Sequence, residues 1–209
     1  MTRTLTAMIS IALIAALPVT AAKPQSTFSY GGVLASGNTI EFHTDPATNQ
    51  IDRVTITGRA HVESLGTKDK AAQIAFSADA SKITFQFFTQ KPKAGTQGIE
   101  LVKKGDFEGP VKMVYAVTTS GATAKTIATA DSATFSGQDQ MARLVGNVKI
   151  TQDDPAQFHV PAVMSGDQAT MNLNRVLAPD GFRFRIESSP GVSTLSVTPN
   201  AKTEAQQNQ

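Results

Sequence analysis

From Lys23 onward the chain alternates apolar and polar residues with the period of strands that keep one face in a core and the other in water. In "DRVTITGRAHVE", Val54, Ile56, Ala60 and Val62 share one face, and Arg53, Thr55, Thr57, Arg59, His61 and Glu63 share the other. "KITFQF" groups Ile83, Phe85 and Phe87, and "VKMVYAV" groups Val111, Met113, Tyr115 and Val117. "FRFRIE" sets Phe182, Phe184 and Ile186 against Arg183, Arg185 and Glu187. Turn chemistry separates such runs at "DPATN" (Asp45 to Asn49), "SADAS" (Ser77 to Ser81), "SGQDQ" (Ser136 to Gln140) and "APDG" (Ala178 to Gly181). The pattern predicts an all-β sandwich, barrel or jelly roll built from repeated short antiparallel strands. One Ala-rich stretch, Lys68 to Ala80, has the composition of a helix, although Ile74 and Phe76 fit a strand equally well.

Glycines interrupt the strands at recurrent places. "ARLVGNVKITQ" carries Gly146-Asn147 in its middle, "IDRVTITGRAHV" carries Gly58, and "GIELVKKGDFEGPVKMVY" carries Gly105 and Gly109. An isolated strand glycine marks a bulge or a sharp bend. A kink is therefore expected at Gly146, with Leu144, Val148 and Ile150 inward and Arg143 and Lys149 in water. The openings of the units repeat as well: "SGNTIEF" (Ser36 to Phe42) matches "SGDQATM" (Ser165 to Met171), and "DSATF" (Asp131 to Phe135) matches "DQATM" (Asp167 to Met171). Repeats of this kind must stack to bury their apolar faces.

Composition adds an address and removes several functions. Arg3, the uncharged apolar run from Leu5 to Leu17 and the small residues of "PVTAAKPQ" predict a signal peptide over residues 1–22, hence export. The run is shorter than the roughly 20 residues a spanning helix needs, and Pro18 interrupts it. The chain has no cysteine, so neither a disulfide nor a lipid-modified cysteine is available. A net charge of +2 with dispersed basic residues gives no nucleic-acid footprint. The domain is expected over residues 23–199, with a disordered polar tail over 200–209.

Catalytic constellations are sparse. Glu41 with His43, and His61 with Glu63, have a spacing that could ligate a metal, but each pair falls on the polar face of a strand and reads as solvated surface. Asp106 and Glu108 sit on one strand face beside glycines rather than across a cleft. His159 stands alone beside Pro161, and Asp153-Asp154 before a proline reads as turn chemistry. No nucleophile elbow, phosphate loop or dinucleotide fingerprint occurs. The expectation is a protein that is not an enzyme and has no cofactor and no metal.

The signal peptide, the "ATF" and "ATM" strands, the acidic turn, the "LVGNV" strand and the following "SGD" together resemble the OstA-like, or LptA-type, lipopolysaccharide-transport proteins. The match is closest over Ala130 to Asn174, with a weaker copy from Ala35 to Glu63 and a divergent middle copy containing "TQKPKAGTQ" and "YAVTTSGATAKTIATA". The resemblance implies an open V-shaped β-jellyroll that shields acyl chains of lipopolysaccharide or a related envelope lipid in the periplasm. It also implies end-to-end strand pairing with other jellyroll proteins or with further copies of itself. The edge candidates are "STFSYGGVLASG" and "GVSTLSVTP". A structural module in outer-membrane assembly is the alternative, followed by a secreted hydrolase on a β scaffold.

The residues expected to form the apolar trough are Phe42, Val54, Ile56, Phe76, Phe85, Phe87, Met113, Tyr115, Phe135, Leu144, Val148, Ile150, Met171, Leu173 and Phe184. Phe outnumbers Tyr 11 to 2 and Trp is absent, and apolar rings with methionine suit adaptable contact with acyl chains. Period two leaves open whether this face is a closed core or an accessible trough. As a trough, it should lose its ligand but keep its sheet when Phe85 or Leu144 is replaced by a charged residue.

Overall fold

In this computed structural model the alternating runs become a single 11-stranded sheet in which each ladder is antiparallel. The structure describes residues 25–69, 72–88, 101–119, 121–173, 181–189 and 191–199. The strands are β1 (Ser26–Tyr30), β2 (Val33–Gly37), β3 (Thr39–Asp45), β4 (Gln50–Asp69), β5 (Ala72–Phe87), β6 (Val102–Thr119), β7 (Ala122–Ser136), β8 (Met141–Asp153), β9 (Phe158–Asn172), β10 (Phe184–Glu187) and β11 (Thr194–Pro199). They run in the order β1-β2-β4-β5-β6-β7-β8-β9-β10, with β3 also paired to β4 and β11 to β9.

Bulges convert this sheet into two arms. On β4 the pairing with β5 jumps from Thr57–Lys82 to Ala60–Ala80, which leaves Gly58 and Arg59 opposite Ser81 alone. Gly109 and Pro110 on β6 likewise oppose Asp131, and Gly146 and Asn147 on β8 oppose Asp167. Gly58, Gly109 and Gly146 have φ of 71°, 86° and 79°, and Arg59 and Asn147 follow at 55° and 47°. The left-handed region suits glycine and tolerates asparagine. Each extra residue bends its strand, and because the bulges line up across the sheet, they form one crease. The first arm holds β3, residues 50–57, 82–87, 102–108, 132–136, 141–145 and 168–172, and β10. The second arm holds β1, β2, residues 60–69, 72–80, 111–119, 122–130, 148–153 and 158–166, and β11. The result is an open V-shaped β-jellyroll.

Short polar side chains from neighbouring strands fill the space that the missing Cβ atoms leave along the crease. Asn38 lies over Gly58, Ser81 over Gly109 and Asp131 over Gly146. Asn147 Nδ2 donates to Asp131 Oδ2 at 2.9 Å. The repeated openings "NTIEF", "SKITF", "DSATF" and "DQATM" thus all begin at the crease, on Asn38, Ser81, Asp131 and Asp167. In each, the second and fourth residues that follow point inward.

One sequence expectation changes here, and one open alternative is settled. "SADAS" is no turn: Ser77 to Ser81 lies within β5, because the small polar residues that favour a turn are also those that fit opposite a bulge. The Lys68 to Ala80 stretch is strand, apart from Lys70 and Ala71 outside the described residues, and its Ala78 and Ala80 are buried. "DPATN" is a turn, with the Ala47 N–H donating to Asp45 Oδ1 at 2.8 Å and Asn49 at φ 54°. "SGQDQ" is a turn as well. Residues 1–24, "TQKPKAGTQ", Ala178 to Asp180 of "APDG" and the 200–209 tail lie outside the described residues.

Candidate functional site

Uninterrupted ladder pairing produces rows of inward side chains that cross each arm from edge to edge. In the first arm one row is Phe42-Val54-Phe85-Gly105-Phe135-Ala142-Met171-Phe184. Beside it run Ile40-Ile56-Ile83-Phe107-Ala133-Leu144-Ala169-Ile186. In the second arm, beyond Ala60, Ala80, Val111, Ala130 and Val148 at the crease itself, the next row is Phe28-Ala35-Val62-Ala78-Met113-Ala128-Ile150-Met164-Leu195. Large rings concentrate on the first arm and alanine and methionine on the second, and both arms feed one apolar cluster. Gly105 has a specific place in it, since a Cβ there would crowd the rings of Phe85 and Phe107, which meet edge-on at 5.8 Å.

The sequence-predicted trough residues occupy these rows and their neighbours. Val54, Ile56, Phe76, Phe85, Phe87, Met113, Phe135, Leu144, Val148, Ile150 and Met171 are buried, while Leu173 and Phe184 are partly buried against the cluster. Tyr115 is half-buried, and Phe42 is 54% exposed at the β3 edge. The bend at Gly146 has Leu144, Val148 and Ile150 inside and Arg143 and Lys149 outside, as its alternation implies. Burial alters one expectation: Phe85 and Leu144 are 1% and 0% exposed, so a charge at either would break the core before it reported on a ligand.

Sequence reasoning passed over Phe107, which is fully buried; the flanking glycines and carboxylates of "GDFEG" masked its period. Of a second inward row of the second arm, farther from the crease, the alternation pointed to Phe76 and Tyr115 but not to the polar members: Tyr30-Val33-Ser64-Phe76-Tyr115-Thr126-Gln152-Ala162. Its hydroxyls and amide make the inner face amphipathic, apolar at the crease and hydrogen-bonding toward the rim. Ser64 and Thr126 are buried, and among the described residues no buried side-chain polar atom lacks a partner. Their signal was the period itself, in which Ser64 follows Ala60 and Val62 two by two.

The two edges differ. At one edge, Phe28 and Tyr30 of β1 cross to the other arm and lie against Phe42 and Phe87, with ring centroids 5.0 and 4.9 Å apart. At the other, the inner face is bare: Leu195, Val197 and Val160 are 67%, 43% and 47% exposed. Apolar surface of this kind on an edge strand marks a place where something binds or pairs.

The outer faces carry the charges. A depression of about 510 Å³ is lined by Glu41, Phe42, His43, Arg53, Thr55, Lys82 and Thr84, and a smaller one of about 130 Å³ by Arg143, Gln168, Ala169, Thr170, Arg185 and Glu187. Lys82 pairs with Glu108 at 2.8 Å and Lys104 with Asp106 at 2.8 Å, so the "GDFEG" carboxylates are surface ion-pair partners. His43 Nδ1 lies 2.6 Å from Asp52, and this hydrogen bond holds the Asp52 carboxyl below its ordinary value. His159 is an exposed residue of β9. Among the described residues no group of three His, Cys, Asp or Glu side chains could hold a metal ion, and no helix is long and apolar enough to cross a membrane.

His61 stands between two carboxylates, with Nδ1 2.6 Å from Asp79 and Nε2 3.1 Å from Glu63. Burial pushes its pKa down, but the hydrogen bonds and charges of Asp79 and Glu63 outweigh that and hold it above 6.5. A histidine raised in this way stabilises the fold fully below its unfolded pKa and loses the contribution as pH rises through the folded one. The melting-temperature advantage of the native chain over His61→Gln should therefore be largest below pH 6.5 and shrink above it. An advantage that grows with pH would contradict the assignment.

The sequence matches no protein-family model and no curated protein. The fold is similar to the crystal structure of LptH from Pseudomonas aeruginosa, described as the LptA homologous periplasmic component of the conserved lipopolysaccharide transport device. The two are 11% identical with a TM-score of 0.50, over 80% of this chain and 95% of that one. At that identity the likeness is one of fold.

Proposed function

We propose that this chain is a non-enzymatic periplasmic carrier whose inner face shields the acyl chains of lipopolysaccharide or a related envelope lipid on its way to the outer membrane. The observation that carries the reading is the apolar inner face running from edge strand to edge strand, buried along its middle and bare at β11. The fold likeness to a periplasmic lipopolysaccharide-transport component supports it, as does the hydroxyl-bearing row at the rim, which suits the polar end of an amphipathic ligand. An acyl chain gains about 0.8 kcal/mol per CH₂ removed from water, so a smooth apolar surface suffices for affinity without a catalytic or metal centre.

Edges at β3, β10 and β11 that are unpaired among the described residues supply the strand surfaces that a bridge of such proteins would join. One outer row runs from Glu41 at the β3 edge to Arg185 at the β10 edge. Opposite charges at the two ends favour unlike edges meeting, as end-to-end assembly requires.

The test is lipid retained by the purified mature chain, identified by mass spectrometry, beside Leu195→Asp. Leu195 is 67% exposed, so the variant should keep its melting temperature. It should lose about tenfold or more in lipid affinity, the equivalent of about 1.5–3 kcal/mol for one apolar side chain. Delipidated protein with no affinity for any acylated glycolipid would remove the reading. A chain that binds no lipid but associates end to end as concentration rises would favour a structural assembly module.

A further inference from the structure

The strand β1 belongs to the second arm by its ladder and to the first arm by its side chains. Its backbone pairs with β2 alone, from Ser26–Gly37 to Tyr30–Val33. Its inward rings do not pack on their own arm's neighbours only: Phe28 tilts onto Phe42 at 54° and Tyr30 onto Phe87 at 59°. The hairpin turn that follows has Gly31 and Gly32 at φ 56° and 85°, and it touches Leu101 so closely that a Cβ on Gly31 would overlap that side chain. β1 is thus a strap laid across the mouth of the V at one edge, whereas among the described residues no strand covers the opposite edge in this way.

The chemistry of the strap matches that of the proposed ligand. Its inward side chains are apolar rings filling the mouth beside Phe85 and Phe87, which are 1% and 3% exposed beneath it. Its outward residues, Thr27 and Ser29, have their side chains toward water. A short edge strand held by one ladder and two ring contacts belongs to the least stable part of a sheet.

Resting on the lipid-carrier reading, we propose that the surface of Phe42 and Phe87 is an acyl-chain subsite occupied in cis by Phe28 and Tyr30. Binding peels β1 from β2, and an acyl chain takes the place of the two rings. The strap then keeps the empty carrier from exposing its apolar face, and it lowers apparent affinity by the fraction of molecules in which the subsite is covered.

Binding of pyrene-labelled palmitate to the mature chain tests this. Phe28→Ser with Tyr30→Ser should tighten binding by about tenfold or more, because minor open conformers are populated at about 10% or less. As a second variant, Thr27→Cys with Ser36→Cys places thiols on directly paired residues of β1 and β2, in a chain with no other cysteine. Oxidation should weaken palmitate binding and reduction should restore it, with circular dichroism unchanged. Equal binding by the oxidised, reduced and native proteins, or no gain in the serine variant, overturns the strap while leaving the carrier reading in place. Absence of palmitate binding in all forms overturns both.

Discussion

Phe85→Ala is expected to lower the unfolding free energy by about 3–5 kcal/mol, the cost of truncating a buried phenylalanine. The ring is 1% exposed and sits in the interior of the first arm's inner row. It meets Phe107 edge-on at 5.8 Å and Phe87 at 6.4 Å, and Gly105 stands across the ladder where a larger residue would have displaced it. Neighbours that are themselves rings cannot collapse into the vacated space, so the cavity term stays large. Against a domain stability of about 5–15 kcal/mol, the loss is a fifth or more of the whole. Urea unfolding followed by circular dichroism reads it, with the midpoint shifting at constant slope. A change below about 1 kcal/mol would mean that the inner face is loose rather than packed, since surface substitutions lie within about 0.5 kcal/mol. The same experiment in the presence of an acylated lipid carries functional information: an acyl chain able to fill the cavity should recover part of the lost stability through binding linkage.

Much of this face was legible because period two is a local property. Val54, Ile56, Ile83, Leu144 and Ile150 follow from alternation alone, and they are fully buried. The crease at Gly146 followed from the incompatibility of a mid-strand Gly-Asn with a straight ladder. Long-range pairing was not legible. "SADAS" has the composition of a turn, yet Ser81 lies opposite the bulges of two neighbouring strands, a role that depends on residues 22 or more positions away in the chain. Phe107 was hidden by its flanking glycines, one of which is the bulge and the other the space for the ring. Whether an apolar row is covered or bare is equally non-local: Phe42 and Phe85 share one row, but only Phe42 lies at the edge, and it is 54% exposed. The exposed strip on β11 depends on that strand pairing, among the described residues, with β9 alone.

The crease itself yields the second large effect. Gly146→Ala should cost about 2 kcal/mol or more, because two penalties coincide. An L-residue in the left-handed region costs about 1–2 kcal/mol, and Gly146 has φ 79°. In addition, a Cβ at this position would overlap the Asp131 carboxylate, which is held in place by the 2.9 Å hydrogen bond from Asn147. Gly121→Ala separates the two, since Gly121 has φ 83° and nothing within 4 Å of its added Cβ; it should show the backbone penalty alone. Asp131→Ala in the Gly146→Ala background removes the overlap with the carboxylate but keeps both the φ cost and the 2.9 Å approach of the Asp131 Cβ, so the double variant should lose less than the sum of the singles, with a coupling of about 0.5–3 kcal/mol. If Gly146→Ala costs no more than Gly121→Ala, the carboxylate does not cover the glycine and the crease is softer than its geometry implies. If the coupling appears, the polar residue that opens each repeat and the glycine of the neighbouring strand act as one unit. That accounts for why "DSATF" and "LVGNV" occur together: the first supplies the cover and the second the space it fills, and the bend they make sets the two apolar faces toward each other.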